Sequence, residues 1–203
     1  MTPEIQFHSA DGGPIYFETN FEQWIVEPYN MVTAAVFVGV FIYWAARVYK
    51  PEFKRTFLKR VLPILAVGGI GGTLYHGFRN HAVCIYMDWV PIVILTLLAS
   101  AYFMSKVSGK WWIAAVFVLS FFFLMGAANA YVPRRYATSV GYFLQAVMVL
   151  MPVVLFLRKR QWAYARYVGG AVLAFTVALT ASVLDPHGFL PMAPTFYGTF
   201  SEL

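Results

Sequence analysis

Six long apolar runs dominate the chain, and short polar segments separate them. Each run is close to the roughly 20 residues that a helix needs to cross the hydrocarbon core of a bilayer. Core helices of soluble proteins seldom stay apolar over such lengths, and membrane β-strands are shorter and alternate apolar with polar positions. The pattern therefore predicts six transmembrane helices, over residues 29–46, 61–78, 82–105, 111–132, 136–157 and 167–184.

The predicted fold is an all-α, polytopic transmembrane helix bundle over residues 29–184. Residues 1–28 contain acidic side chains but no Lys or Arg, which argues against a secretory signal and predicts an acidic N-terminal segment. Residues 185–203 contain three prolines and predict a C-terminal tail that is too broken to form another span. The composition agrees, because 12% charged residues is about half of what soluble domains carry.

Basic residues predict the orientation, because Lys and Arg are enriched in cytoplasmic loops. Of the 15 basic residues, 12 lie in or beside the loops after the first, third and fifth spans. We therefore expect the N-terminal segment and the tail to lie outside. This distribution explains the net charge of +6 without a nucleic-acid partner. With no transit or retention signal, a bacterial-type cytoplasmic (inner) membrane is the predicted location; the sequence does not indicate an oligomeric state.

Two ionisable residues stand out within the apolar runs. His76 lies near the outer end of the second predicted span, and Asp88 lies about two turns into the third. Only residues 79–81 join these spans, so the helices are predicted to be antiparallel neighbours with the two side chains at similar depth. An ionisable group inside a span costs about 3 kcal/mol and usually faces a partner in the bundle interior.

Two interpretations are open for these residues: they form a structural pair, or they form a functional site. Asp88 could simply pair with His76 or Arg79 and fasten two helices. A catalytic zinc needs three protein ligands, and the remaining histidines, at positions 8, 81 and 187, are expected to be solvated. Four glycines at positions 68, 69, 71 and 72 form a small-residue face that lets helices approach closely.

A second polar cluster occupies FETNFEQWIVEPYN, residues 17–30. Glu18, Asn20, Glu22 and Glu27 offer the oxygen atoms that calcium prefers. The alternative is a solvated acidic cap that keeps the N-terminus outside.

Two stretches resemble the alkaline ceramidase family, which belongs to a superfamily of membrane hydrolases that also includes progestin- and adiponectin-type receptors. EPYNMVTAAVFV, residues 27–38, is similar to the family's Glu-Pro-x-Asn-x-x-Ser/Thr opening of the first helix. LYHGFRNHAVCIYMDWVPI, residues 74–92, is similar to its pattern of a histidine, a later aspartate and then a proline. The resemblance extends over about residues 17–185.

The resemblance implies a seven-span enzyme that hydrolyses the amide of ceramides, a membrane lipid substrate, to a fatty acid and a sphingoid base. It implies that His76 is a zinc ligand and that Asp88 is the catalytic acid/base or water-orienting carboxylate. It further implies a calcium site formed by Glu18, Asn20 and Glu27, with Glu22 a looser match. The polar site would lie near the outer face.

The sequence departs from the family at two places. Gly72 stands where the family has a serine, and the adjacent Thr73 is predicted to point elsewhere. The family also carries His-x-x-x-His on a seventh helix, whereas this sequence ends at Leu203. We therefore expect either a partial sequence or a member without the standard zinc site. A non-catalytic relative that binds a lipid or a partner is the main alternative, and a transporter or channel is disfavoured because no pair of broken helices is evident.

Overall fold

The computed structural model describes Gly13, Tyr16, residues 18–132 and residues 134–184. The regular secondary structure of this part of the chain consists of six α-helices. They are α1 (Pro28–Val48), α2 (Thr56–Phe78), α3 (Ala82–Ser108), α4 (Trp111–Tyr131), α5 (Arg134–Lys159) and α6 (Ala165–Leu184).

The six predicted runs are therefore confirmed as helices. The largest difference is at the start of α2, which begins five residues before residue 61 and includes Lys59 and Arg60. Long basic side chains are tolerated at a helix end because their charged groups reach the aqueous boundary. Pro28 opens α1, as its fixed φ and missing N–H favour, and Gly109 ends α3 with a φ of 71°.

Among the described residues, four helices are long and apolar enough to cross a membrane: α1, α2, α3 and α4. This supports a membrane protein. The spanning role predicted for α5 and α6, and the outside location of the N-terminus, stay predictions. The tail at residues 185–203 and most of the N-terminal segment lie outside the described residues.

The chain divides into two units, Met1–Ile92 with Gly170–Leu203, and Val93–Gly169. In the first unit the glycines of α2 allow close packing on two sides. A Cβ added at Gly69 would lie 2.9 Å from the backbone nitrogen of Val38 in α1, whereas one added at Gly68 would lie 3.2 Å from Cβ of Pro91 in α3. The predicted small-residue face is thus two faces, one for each neighbouring helix.

Prolines inside the helices each leave one backbone carbonyl without its usual N–H donor, four residues earlier. In the first unit, the hydroxyl of Tyr49 donates to the carbonyl of Lys59, which Pro63 leaves free, at 3.0 Å. In the second unit, the hydroxyl of Ser100 in α3 donates at 3.0 Å to the carbonyl of Met148 in α5.

The Met148 carbonyl is the one that Pro152 leaves free. Ser100, Met148 and Pro152 are all fully buried. A buried carbonyl without a donor costs free energy comparable to a lost hydrogen bond, so the serine stabilises the proline-containing helix. A weaker contact nearby, from Gln145 Nε2 to Thr96 Oγ1 at 3.4 Å, also joins α3 to α5.

Candidate functional site

The segment before α1 joins the N-terminus of α1 to the C-terminus of α2. The backbone N–H of Val26 donates to the carbonyl of Gly77 at 2.9 Å, and the N–H of Glu27 donates to the carbonyl of His76 at 3.0 Å. The last carbonyls of a helix have no partner within the helix, so residues outside it must satisfy them. These two bonds therefore cap α2 and hold Glu27 beside His76.

Glu18 caps the other helix. Its carboxylate oxygens accept hydrogen bonds from the backbone N–H groups of Tyr29, at 2.7 Å, and Asn30, at 2.8 Å, in the first turn of α1. A carboxylate is favourable there because free N–H groups make a helix N-terminus partly positive. Burial nevertheless raises the pKa of Glu18 above its usual value, and the two backbone hydrogen bonds offset this only in part.

Glu27 is the centre of the polar cluster. Its side chain is fully buried, and Oε2 lies 2.5 Å from Nδ1 of His76. Its other oxygen, Oε1, accepts from Nη1 of Arg79 at 2.5 Å and from the hydroxyl of Thr19 at 2.7 Å. Burial raises the pKa of Glu27, but the hydrogen bonds from His76, Thr19 and Arg79 outweigh burial and hold the pKa below its usual value.

The second nitrogen of His76 faces Asp88. Nε2 lies 3.7 Å from Oδ2 of Asp88, and the two side chains are 12% and 26% exposed. Because ionised Glu27 only accepts hydrogen bonds, Nδ1 carries a proton. A neutral imidazole would then present a lone pair to Asp88, and two acceptors at this distance suit a shared cation or water. A doubly protonated imidazole would instead form an ion pair.

Gly72 gives the Asp88 carboxylate room. A Cβ added at Gly72 would overlap Oδ1 of Asp88 and lie 3.2 Å from Cβ of Ala34 in α1. The serine that the family has at this position would not fit here without a shift of the neighbouring side chain. The hydroxyl of Thr73 donates to the carbonyl of Gly69 at 2.6 Å, within α2, so it does not replace that serine.

Part of the predicted zinc site has suitable geometry. Histidine ligands usually donate their second N–H to a carboxylate, as His76 does to Glu27. Oδ2 of Asp88 lies 3.7 Å from Nε2 of His76, so the carboxylate predicted to act on a water lies beside the nitrogen predicted to bind zinc. Within the described residues, however, no group of three or more His, Cys, Asp or Glu side chains is arranged to hold a metal.

The oxygens of the predicted calcium site serve other partners. Glu18 caps α1 and Glu27 binds His76, Thr19 and Arg79, as described above. The side-chain oxygen of Asn20 accepts from the backbone N–H of Glu22 at 2.9 Å, within its own turn.

The structure thus brings His76, Asp88 and Glu27 together, with Glu18 at the adjacent helix end. Sequence reasoning missed Arg79, which it treated only as a possible partner of Asp88, and it missed the contact of Glu27 with His76. The short connection at residues 79–81 was a signal for Arg79, since it places that residue at the same helix ends as the acidic segment. His81 is exposed, as expected, whereas His8 and His187 lie outside the described residues.

Comparison with known proteins adds no family assignment. The chain matches no family model, no curated protein and no solved structure. The resemblance to alkaline ceramidases therefore depends on the two stretches described above.

Proposed function

We propose that this protein is a zinc-dependent intramembrane hydrolase that cleaves the amide of ceramide-like lipids to a fatty acid and a sphingoid base. The observation that carries the proposal is the orientation of His76. Glu27 holds one imidazole nitrogen, and the other faces the Asp88 carboxylate at 3.7 Å. A metal-ligating histidine usually donates its other N–H to a carboxylate in this way, which supports the proposal.

Each residue has a definite part in the reaction. Glu27 fixes the tautomer of His76, so that Nε2 can act as a ligand. Asp88 accepts a proton from the attacking water and delivers it to the leaving nitrogen as the amide breaks. A zinc ion held by His76 and two further ligands would supply Lewis-acid polarisation of the amide carbonyl.

The surroundings of the cluster suit a lipid substrate. Helices α1, α2 and α3 are apolar along most of their length, and the cluster lies at the ends where residues 18–27 cross. Trp24 and Phe21 in this segment are 82% and 57% exposed, as aromatic residues at a membrane boundary often are. The acyl chains would lie among the apolar helices, with the amide at the depth of His76. The outer face of a cytoplasmic membrane is the proposed location.

Ceramide hydrolysis by the purified protein in detergent micelles tests the proposal. We expect zinc to copurify and fatty acid to be released, and we expect Asp88→Asn and His76→Ala to reduce release by at least about a hundredfold. His81→Ala is the matched control, because His81 is exposed in the adjacent loop. Wild-type protein that binds zinc but leaves ceramide intact would exclude this substrate, and protein without zinc would exclude the metal-dependent route.

A non-catalytic membrane protein that binds a lipid or a partner is the second candidate. The buried contacts of Glu27 with Arg79 and His76 favour it, because they would fasten α1 to α2 without any reaction. Under this alternative, His76→Ala lowers the melting temperature of a protein that never hydrolyses ceramide. If the protein is a hydrolase, Asp88→Asn removes turnover from a protein that stays folded.

A further inference from the structure

We infer that Arg79 is a built-in cation that holds residues 18–27 on the end of α2 without calcium. This inference concerns how the segment is fastened, and it stands whether or not the protein is a hydrolase. It assigns a role to a residue that the resemblance leaves without one, and it replaces a predicted metal site with a guanidinium group.

The first argument is that the oxygens predicted to bind calcium are occupied. Calcium takes six to eight oxygen ligands. Glu27 directs Oε1 to Arg79 and Thr19 and Oε2 to His76, while Glu18 uses both oxygens on backbone N–H groups of α1. The Asn20 oxygen is held in a turn with Glu22. Calcium would compete with these donors, above all at Glu27 Oε1, which already accepts twice, and the buried guanidinium would repel it.

The second argument is the environment of the guanidinium. The side chain of Arg79 is fully buried, as is that of Glu27. Its guanidinium carbon lies 5.0 Å from the ring centroid of Tyr75 and 5.5 Å from that of Phe21, within the range of cation–π attraction. Phe21 belongs to the N-terminal segment and Tyr75 to α2, so the cation contacts both parts that a bound metal ion would join.

The third argument is the backbone conformation of Arg79. It ends α2 in the left-handed region, with φ 46° and ψ 31°, and its N–H donates to the carbonyl of Tyr75 at 2.8 Å. Glycine or asparagine is favoured at such a helix end, because other side chains carry a steric cost there. An arginine at this position is consistent with a side chain whose contacts offset that cost.

Thermal unfolding of the purified full chain in detergent tests the inference. We expect the wild-type melting temperature to be the same in EGTA and in millimolar calcium chloride. We expect Arg79→Gln and Arg79→Gly to lower it by about 10 °C in both buffers. Arg79→Lys keeps the positive charge and should lower the melting temperature by less. Arg79→Gly is the most informative variant. Glycine removes the steric cost of the left-handed backbone, so any loss of stability comes from the missing cation.

Two results would overturn the inference. One is a saturable rise of the wild-type melting temperature with calcium that Glu27→Gln abolishes, because the carboxylates would then be metal ligands. The other is an Arg79→Gly variant as stable as the wild type in EGTA. If the arginine variants do not fold, the wild-type calcium titration still decides the question, since it requires no substitution.

Discussion

Nδ1 of His76 lies 2.5 Å from Oε2 of Glu27, although 49 residues separate them in the sequence. The carboxylate also accepts from Arg79 and Thr19, and it is fully buried. A single acidic side chain therefore orients the histidine of the candidate site and joins the N-terminal segment to α2. Stability and the geometry of the site are coupled at this residue.

The first prediction concerns pH. The pKa of Glu27 is held below its ordinary value of 4.5, so the unfolded chain binds more protons than the folded one below about that pH. The stability that Glu27 contributes is thus fully present above about pH 4.5 and is lost as pH falls through the folded pKa. We expect Glu27→Gln to lower the free energy of unfolding by about 3–5 kcal/mol at neutral pH. The difference in stability between the wild type and this variant should become smaller in acid.

Thermal unfolding of the wild type and of Glu27→Gln across an acidic pH series measures this difference in stability. Glu18 has a raised pKa, so its own effect runs in the opposite direction, with stability gained as pH falls through the folded pKa. Both proteins contain Glu18, but the charge of Glu27 helps to raise the pKa of Glu18, so the difference between them reports Glu27 together with this coupling. Glu22→Gln is the control, because Glu22 lies in an exposed turn of the same segment, and it should unfold like the wild type. A difference in stability that does not depend on pH would contradict the prediction.

The second prediction concerns the glycine beside Asp88. Gly72→Ala should destabilise the protein by about 1–3 kcal/mol, because the added methyl group would meet the Asp88 carboxylate. Gly72→Ser, which introduces the family's residue, should behave in the same way. Gly39→Ala in α1 is the matched control, since no atom lies within 4 Å of its added Cβ. This control variant should stabilise the protein by about 0.5–1 kcal/mol. Equal effects at both positions, measured by chemical unfolding, would show that the contact has no energetic consequence.

The third prediction concerns the proline in α5. Ser100→Ala should cost about 1–3 kcal/mol, because it leaves the buried Met148 carbonyl without a donor. In a Pro152→Ala background the helix can supply its own N–H, so the same substitution should cost less. Unfolding free energies of the two single variants and the double variant form a cycle that measures this coupling. Strict additivity would contradict the proposed role of the serine.

The fourth prediction uses the other satisfied carbonyl as a contrast. Tyr49→Phe removes the donor to the Lys59 carbonyl that Pro63 leaves free. Tyr49 is half exposed, so water or another polar group can replace its hydroxyl. We expect a change in the unfolding free energy of no more than about 0.5 kcal/mol. An effect as large as that of Ser100→Ala would mean that burial is not what makes such a hydrogen bond matter.

The helices were predictable from the chain because length and apolar composition are local properties. Each of the six apolar runs is a helix, and α2 and α3 are joined by residues 79–81 as expected. The proximity of His76 and Asp88 was also predictable, since so short a connection makes the two helices neighbours. The start of α2 was less predictable, because charged residues at a helix end do not reveal whether the backbone is already helical.

The partners within the cluster were not predictable, because they depend on three-dimensional contacts rather than on spacing. The sequence predicted Glu27 as a calcium ligand with Glu18 and Asn20 but did not indicate its contacts with His76 and Arg79. The glycines of α2 were predicted to form one face, yet they pack against two helices.

The sequence by itself determined that this protein has long apolar helices with few ionisable groups, because hydrophobic length is set residue by residue. Only the tertiary structure decided which of those groups pair, because a buried charge takes whichever partner the packing of the helices brings within hydrogen-bond distance.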